Sequence, residues 1–199
     1  MTPTANGRAD FELIESWVAA GARVLDLGCG DGSLLARLKR DRGILGYGVD
    51  IDDANVLASL QNGINVIQSD LEAGLNTFAD ASFDVVILSH TLQAMRHTQR
   101  IMEEMARVGR EGIVSFPNFG YVKNREQIAA GRMPVSEEMP YSWHDTPNVH
   151  LCTMADFDRF CADLGMRVMD RRAFTDNAEV TKGDLNLLGA LAVYRFRKA

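Results

Sequence analysis

The run Asp26-Leu27-Gly28-Cys29-Gly30-Asp31-Gly32 constrains this chain more than any other stretch. Before it, Arg23-Val24-Leu25-Asp26-Leu27 is apolar enough for a buried parallel strand. After it, Ser33-Leu34-Leu35-Ala36-Arg37-Leu38 has the composition of a helix. Three glycines at alternate positions let the backbone turn sharply between the two, and without Cβ atoms they admit a ligand close to the main chain. The spacing departs from the dinucleotide fingerprint G-x-G-x-x-G, because Ser33 stands three residues after Gly30 and Gly32 falls one place early. No Lys follows the last glycine, as a Walker loop requires. The discriminating residue is Asp26. A pyrophosphate cradle avoids a carboxylate at its mouth, whereas an ammonium or sulfonium group is stabilised by one. The alternative to a ligand site is a tight strand-to-helix turn that binds nothing.

What surrounds the loop indicates an α/β chain. Asp10 to Ala20 carries Phe11, Ile14, Trp17 and Val18 at helical spacing, and Gly21 ends it. Further strands are expected at Gly46–Asp50, Asn65–Gln68, Val85–Leu88 and Gly112–Phe116, with a helix over Ile101–Val108. The apolar run Val85-Val86-Ile87-Leu88 suits a central strand buried on both faces. After Pro117 the alternation stops, and residues 117–150 are read as an insertion or lid over the strand ends. Thr153, with Asp156 three residues on, opens a helix from Met154 to Leu164 in a variant of the capping box. A sixth strand is expected over Met166–Arg171 and an antiparallel last strand over Leu187–Phe196. The expected architecture is one doubly wound, Rossmann-like domain over residues 1–199, with a mostly parallel seven-stranded sheet whose last strand is antiparallel.

Composition excludes several classes. With 46% hydrophobic and 24% charged residues the chain is ordinary for a soluble protein. A net charge of −6 and the lack of a basic run argue against a nucleic-acid partner. No stretch reaches the length of a membrane span, and the N-terminus lacks a signal-peptide pattern. Cys29, Cys152 and Cys161 are odd in number and show no metal-ligand spacing, which fits a reducing, cytoplasmic compartment.

In strand–loop–helix context, Asp26 to Gly32 resembles the first motif of class I S-adenosylmethionine (SAM) methyltransferases. In open α/β sheets a ligand sits beyond the carboxyl ends of the strands, so each strand end is a candidate contact. From the loop itself the candidates are Asp26, Gly28, Cys29, Gly30 and Gly32. Asp50, eighteen residues past Gly32, can accept both ribose hydroxyls, and Ile51 can lie on an adenine face. Asp52 or Asp53 suits the competing task of capping the next helix. Asp70 can accept from the adenine amino group and the Leu71 N–H can donate to the ring, although a turn-forming Asp would look the same. Ser89, at the fourth strand end, can meet the methionine part. His90 is read as a packed or capping residue. The Asp/Asn-Pro-Pro-Tyr pattern that orients an amine is absent. An in-line methyl displacement is accelerated mostly by positioning, so no catalytic residue is assigned.

The insertion holds a second cluster, Pro140-Tyr141-Ser142-Trp143-His144-Asp145-Thr146-Pro147-Asn148-Val149-His150-Leu151-Cys152. Tyr141, Trp143, His144, Asp145 and His150 are candidates for a substrate lid or a partner surface. No further ligand group accompanies the two histidines, so no metal is expected. Together with Val24–Gly32, the segments Val114-Ser115-Phe116-Pro117-Asn118-Phe119-Gly120, Gly131-Arg132-Met133-Pro134 and Asp145-Thr146-Pro147-Asn148-Val149-His150-Leu151-Cys152-Thr153 resemble the methionine biosynthesis protein MetW family, from about Arg8 to Arg195. That resemblance implies a small cytoplasmic protein with SAM or S-adenosylhomocysteine as ligand. It also implies support of homoserine acylation beside a MetX-type homoserine O-acyltransferase. A SAM-dependent methyltransferase acting on a small acceptor is the competing expectation.

Overall fold

The computed structural model describes residues 8–199. Helix α1 (Ala9–Trp17) leads into β1 (Arg23–Leu27), α2 (Ser33–Arg42), β2 (Leu45–Asp50), α3 (Asp53–Gln61) and β3 (Asn65–Gln68). Then follow β4 (Phe83–Ser89), α4 (Thr98–Val108), β5 (Gly109–Pro117), α5 (Val122–Ala129) and α6 (Met154–Asp163). The chain closes with β6 (Met166–Thr175), β7 (Ala178–Glu179), α7 (Leu185–Leu188) and β8 (Leu191–Lys198).

The strands form one sheet in the order β3-β2-β1-β4-β5-β8-β6-β7. Pairing is parallel from β3 through β5, and β8 is antiparallel to both β5 and β6. The sheet thus has eight strands where seven are expected. The extra one is a two-residue arm, β7, folded back on β6 through Asp176 and Asn177, both left-handed at φ 51° and 58°. The last strand is antiparallel as expected, and it lies between β5 and β6.

Strand alternation divides the core in two. Leu25, Leu27, Val86, Leu88, Val114 and Phe116 face α4 and α6, meeting Met102, Met105, Phe157 and Cys161. Val24, Val85, Ile87 and Ile113 face α1 and α2, meeting Phe11, Ile14, Leu35 and Leu38. Asp26 falls on the Val24 side, toward α1.

Three boundaries differ from expectation. Residues 185–188 are helical and not strand, because the Asp184 side chain caps them by accepting from the Asn186 N–H at 2.9 Å. Helix α1 ends at Trp17, three residues early. The insertion contains an unexpected helix, α5, whose one fully buried residue is Asn124. A helix held by a polar side chain shows no apolar period.

Candidate ligand site at the strand ends

The glycine loop is bent by its own main chain. Gly28, Gly30 and Gly32 take φ of 69°, 57° and 74°, the left-handed region that glycine enters without steric cost. The Gly28 and Cys29 N–H groups both donate to the Val49 carbonyl, at 2.7 and 3.1 Å, and Gly32 N–H donates to Cys29 O at 3.0 Å. Gly30 N–H donates to Asp50 Oδ2 at 2.8 Å. Four amides that a phosphate cradle would need are therefore already taken. A Cβ on Gly28 would strike Thr91 Oγ1 at 2.5 Å, whereas one on Gly30 would meet nothing within 4 Å. Open space lies over the middle of the loop.

Asp26 is the anomaly. It is 2% exposed, and its Oδ1 has no hydrogen-bond partner among the described residues. Burial, reinforced by the charge of Asp50 and opposed by that of Arg8, pushes its carboxyl up to about 7. A buried carboxylate oxygen without a donor is costly unless a ligand supplies one. A cation such as the ammonium of an amino acid fits that position.

The other strand-end candidates divide. Asp50, 7% exposed, accepts from Gly30 N–H and, through Oδ1, from Asp52 N–H at 3.0 Å and Asn55 Nδ2 at 3.3 Å. It locks the loop to the β2 end, while Asp52 caps α3 by accepting from Ala54 and Asn55 N–H. Ile51 is 62% exposed beside Asp50, an apolar face open to a ring. Asp70 accepts from Glu72 N–H at 2.9 Å and caps the 3₁₀ turn that Leu71 begins. The Cys29 side chain packs beneath the loop, where a Cβ on Gly48 would lie 2.4 Å from its Sγ. Burial, then the charge of Asp26, pushes that thiol up to about 12, so it is inert. Ser89 Oγ pairs with the buried Ser115 Oγ at 2.9 Å.

Sequence reasoning missed the group built around His90. This residue is left-handed at φ 52°, a strained conformation for a side-chain-bearing residue. Its N–H is held by Ser115 O at 3.0 Å. Its Nε2 lies 3.7 Å from Asp10 Oδ2 on α1, and its Nδ1 lies 3.9 Å from Glu138 Oε2 in the insertion. Asp10, 3% exposed, is gripped by Arg8 at 3.0 and 2.5 Å. Burial acts to raise the Asp10 carboxyl, but His90 and Arg8 outweigh it and hold it below the usual range. Burial raises the Glu138 carboxyl, Asp10 adds to the rise, and His90 and Arg8 oppose it. No sequence spacing joins residues 10, 90 and 138, so only the fold reveals this group.

The insertion is anchored at both ends. Asn118, fully buried, donates to Asn186 O at 2.9 Å and Gly189 O at 2.7 Å. Its Oδ1 accepts from Gly120 N–H and Met154 N–H. At the far end the Gln93 carbonyl accepts from Val149 and His150 N–H at 2.8 and 3.0 Å. Thr153 accepts from Asp156 N–H at 3.1 Å and caps α6 as expected. Between these anchors Tyr141 is 47% and Trp143 75% exposed, and His144, Asp145 and His150 are exposed as well. Trp143 meets His144 edge to face at 5.5 Å. His150 reaches Arg96 O at 3.3 Å and borders a cavity of about 230 Å³ lined by Leu92, Phe116, Phe157 and Phe160. Among the described residues no three His, Cys, Asp or Glu side chains gather as metal ligands, and no helix is long and apolar enough to cross a membrane.

The fold is that of the class I SAM-dependent methyltransferases. A SAM-dependent methyltransferase from Mesorhizobium loti is similar at a TM-score of 0.72 and 17% identity, over 98% of this chain and 100% of that one. The magnesium protoporphyrin IX methyltransferase of Synechocystis, solved with S-adenosylhomocysteine, is similar at 0.66 and 20% identity, over 96% and 82%. More specifically, residues 8–196 match the family model of methionine biosynthesis protein MetW, and the chain belongs to that family. A curated relative from Rhodopirellula baltica, a bifunctional methionine biosynthesis protein MetXA/MetW, is 38% identical over 203 residues. The match covers 95% of this chain, which spans only 32% of that relative.

Proposed function

We propose that this chain is a SAM-binding accessory protein of methionine biosynthesis that supports a MetX-type homoserine O-acyltransferase in the cytoplasm. It works as one SAM-binding domain, with the insertion at about 117–150 meeting the partner. The observation that carries the reading is the Rhodopirellula relative, whose name joins MetXA and MetW activities in one polypeptide. Two functions fused in one relative are expected to meet as separate chains elsewhere.

The ligand, SAM or S-adenosylhomocysteine, lies across Asp26, Gly28, Cys29, Gly30, Gly32, Asp50, Ile51, Asp70, Leu71 and Ser89. Asp26 takes the ammonium with its unpartnered oxygen, Asp50 the ribose hydroxyls with its remaining lone-pair capacity, and Ile51 an adenine face. Bound SAM supplies a sulfonium cation carrying a transferable methyl group. Tyr141 and Trp143 are the partner anchors, with His144, Asp145 and His150 around them, because large exposed aromatics dominate interface energetics. The purified acyltransferase should gain activity or yield when this protein is added, with SAM turned over slowly or not at all.

A second reading, methyl transfer to a small acceptor, has one observation in its favour. His90, the residue before the Thr91 that packs on Gly28, stands in a strained conformation between two carboxylates, where a proton acceptor would be useful. Methylation of a pathway metabolite by the protein alone at an ordinary enzymatic rate would establish this reading and remove the accessory one.

A further inference from the structure

A second concavity lies at the opposite, amino ends of the same strands. The crossovers β1–β2, β2–β3 and β4–β5 each carry a helix, α2, α3 and α4. Between β3 and β4 the chain forms only the 3₁₀ turn Leu71–Ala73 and a loop. The start of β2 is left open as a result. Leu45 and Tyr47 stand in register with Arg23 and Leu25, on the face away from α2, and both are exposed. Strand β2 is buried only from Gly48 onward. Strand β3 begins beside Tyr47, so Leu45 and Gly46 have no strand partner on that side. The resulting notch is a cavity of about 460 Å³, within the roughly 300–1,000 Å³ of small-molecule sites. Its lining is largely apolar: Leu35, Ile44, Ile64 and Phe83 are buried, and Leu45 and Tyr47 are exposed.

The charged residues of the lining are Arg23 and Lys39, and among the described residues no carboxylate joins them. In a chain of net charge −6 this is a local reversal of sign. Both cations retain donors. Lys39 Nζ uses one of its three on Gly63 O, at 2.9 Å. Arg23 Nε lies 3.7 Å from Asp84 Oδ2, beyond hydrogen-bond reach. Asp84 is itself divided, since that oxygen accepts from the Arg23 main-chain N–H at 2.8 Å and its Oδ1 lies 3.8 Å from Arg110 Nε. We propose that the notch is a second ligand site, for a small organic anion with an apolar body, such as an aromatic or branched aliphatic carboxylate. The body covers the apolar lining, and the carboxylate meets Arg23 and Lys39. A bare inorganic anion would leave the apolar surface in water, and a neutral apolar ligand would leave both cations unanswered. The site shares no residue with the glycine loop, so the proposal stands apart from the adenosyl-ligand reading.

The test is titration of the isotope-labelled whole chain, followed by amide NMR shifts, with three probes of nearly one shape. Indole-3-acetate is an anion, indole-3-acetamide is neutral and tryptamine is a cation. The anion should bind about fivefold more tightly than the amide, and the cation more weakly than either. The largest shifts should fall at Leu45, Tyr47 and Asn65, which line the notch. In the Arg23→Gln/Lys39→Gln double variant the advantage of the anion should vanish. The amide should bind the variant as it binds wild type, which also shows that the fold is kept. Equal affinity for the three probes, binding of none, or an anion preference that survives in the double variant overturns the proposal. Largest shifts elsewhere in the chain overturn it as well. So does tighter binding of an acidic, tryptophan-centred pentapeptide than of indole-3-acetate, which would make the notch a docking groove for a protein segment.

Discussion

The glycine loop and the insertion are both irregular segments beside the same strand ends, yet they are built in opposite ways. Around the loop, main-chain amides and carboxylates bond to one another within a few ångströms, and one polar atom, Asp26 Oδ1, is left without a donor. The insertion is fixed at its two ends, by Asn118 and by Gln93, and between them it turns Tyr141, Trp143, Val149 and Leu151 toward solvent. A rigid polar cradle with one unanswered charge suits a small ligand of defined shape. An anchored segment displaying aromatic and aliphatic side chains suits a protein surface.

Substitutions at the anchors of each region should separate them. Asn118→Ala should have the largest effect, about 3–5 kcal/mol of stability, since it strands the Gly120 N–H and the carbonyls of Asn186 and Gly189 in the interior. Denaturant unfolding measures it. A loss under 1 kcal/mol would mean the insertion is held by something else.

Asp26→Asn should come next, with a sign that depends on pH. The Asp26 carboxyl sits at about 7 in the folded protein against an ordinary 3.8. Between those values the folded chain holds a proton that the unfolded chain has released. This residue's contribution therefore falls as pH rises from about 4 to 7 and is level above. Relative to wild type, the variant should gain about 2–4 kcal/mol of ligand-free stability at pH 8 and little at pH 4. It should also bind ligand more weakly at both. Parallel stability curves for the two proteins from pH 4 to 8 would refute the buried-charge account.

Asp50→Ala should weaken ligand binding by about 1–3 kcal/mol. Because Asp50 also holds the Gly30 amide, hydrogen exchange at Gly30 should accelerate in the variant without ligand. Unchanged affinity by calorimetry would remove Asp50 from the site. Thr153→Ala should be the mildest, about 1 kcal/mol of stability from loss of the α6 cap, with ligand affinity untouched.

Local chemistry was readable in the sequence, and long-range meeting was not. The strand at Arg23–Leu27, the loop after it and the Thr153 cap each depend on residues within a few positions of one another. Helix α5 left no apolar pattern because Asn124, bonded to Asn118 O at 3.2 Å, holds it in place of an apolar stripe. The β7 arm is two residues long, below the reach of any alternation. In Leu187-Leu188 the apolar pair suggested a strand, but the Asp184 cap just before it decides for helix. Among the candidate residues, the placement of Asp26 and Asp50 near the ends of β1 and β2 was legible from their offsets to the glycines, although the role of Asp50 in holding the loop was not. Asp10 and Glu138 were invisible because only the sheet order brings α1, the β4 end and the insertion together around His90.

The division of labour between cradle and insertion is tested most directly in one paired measurement on the Tyr141→Ala/Trp143→Ala double variant. Homoserine acylation by the cognate acyltransferase is followed with wild type or variant added, and SAM binding by each is titrated in parallel. The account predicts that the double variant binds SAM as wild type does and no longer stimulates the acyltransferase. A variant that stimulates as fully as wild type, or one that loses SAM binding along with stimulation, would contradict it.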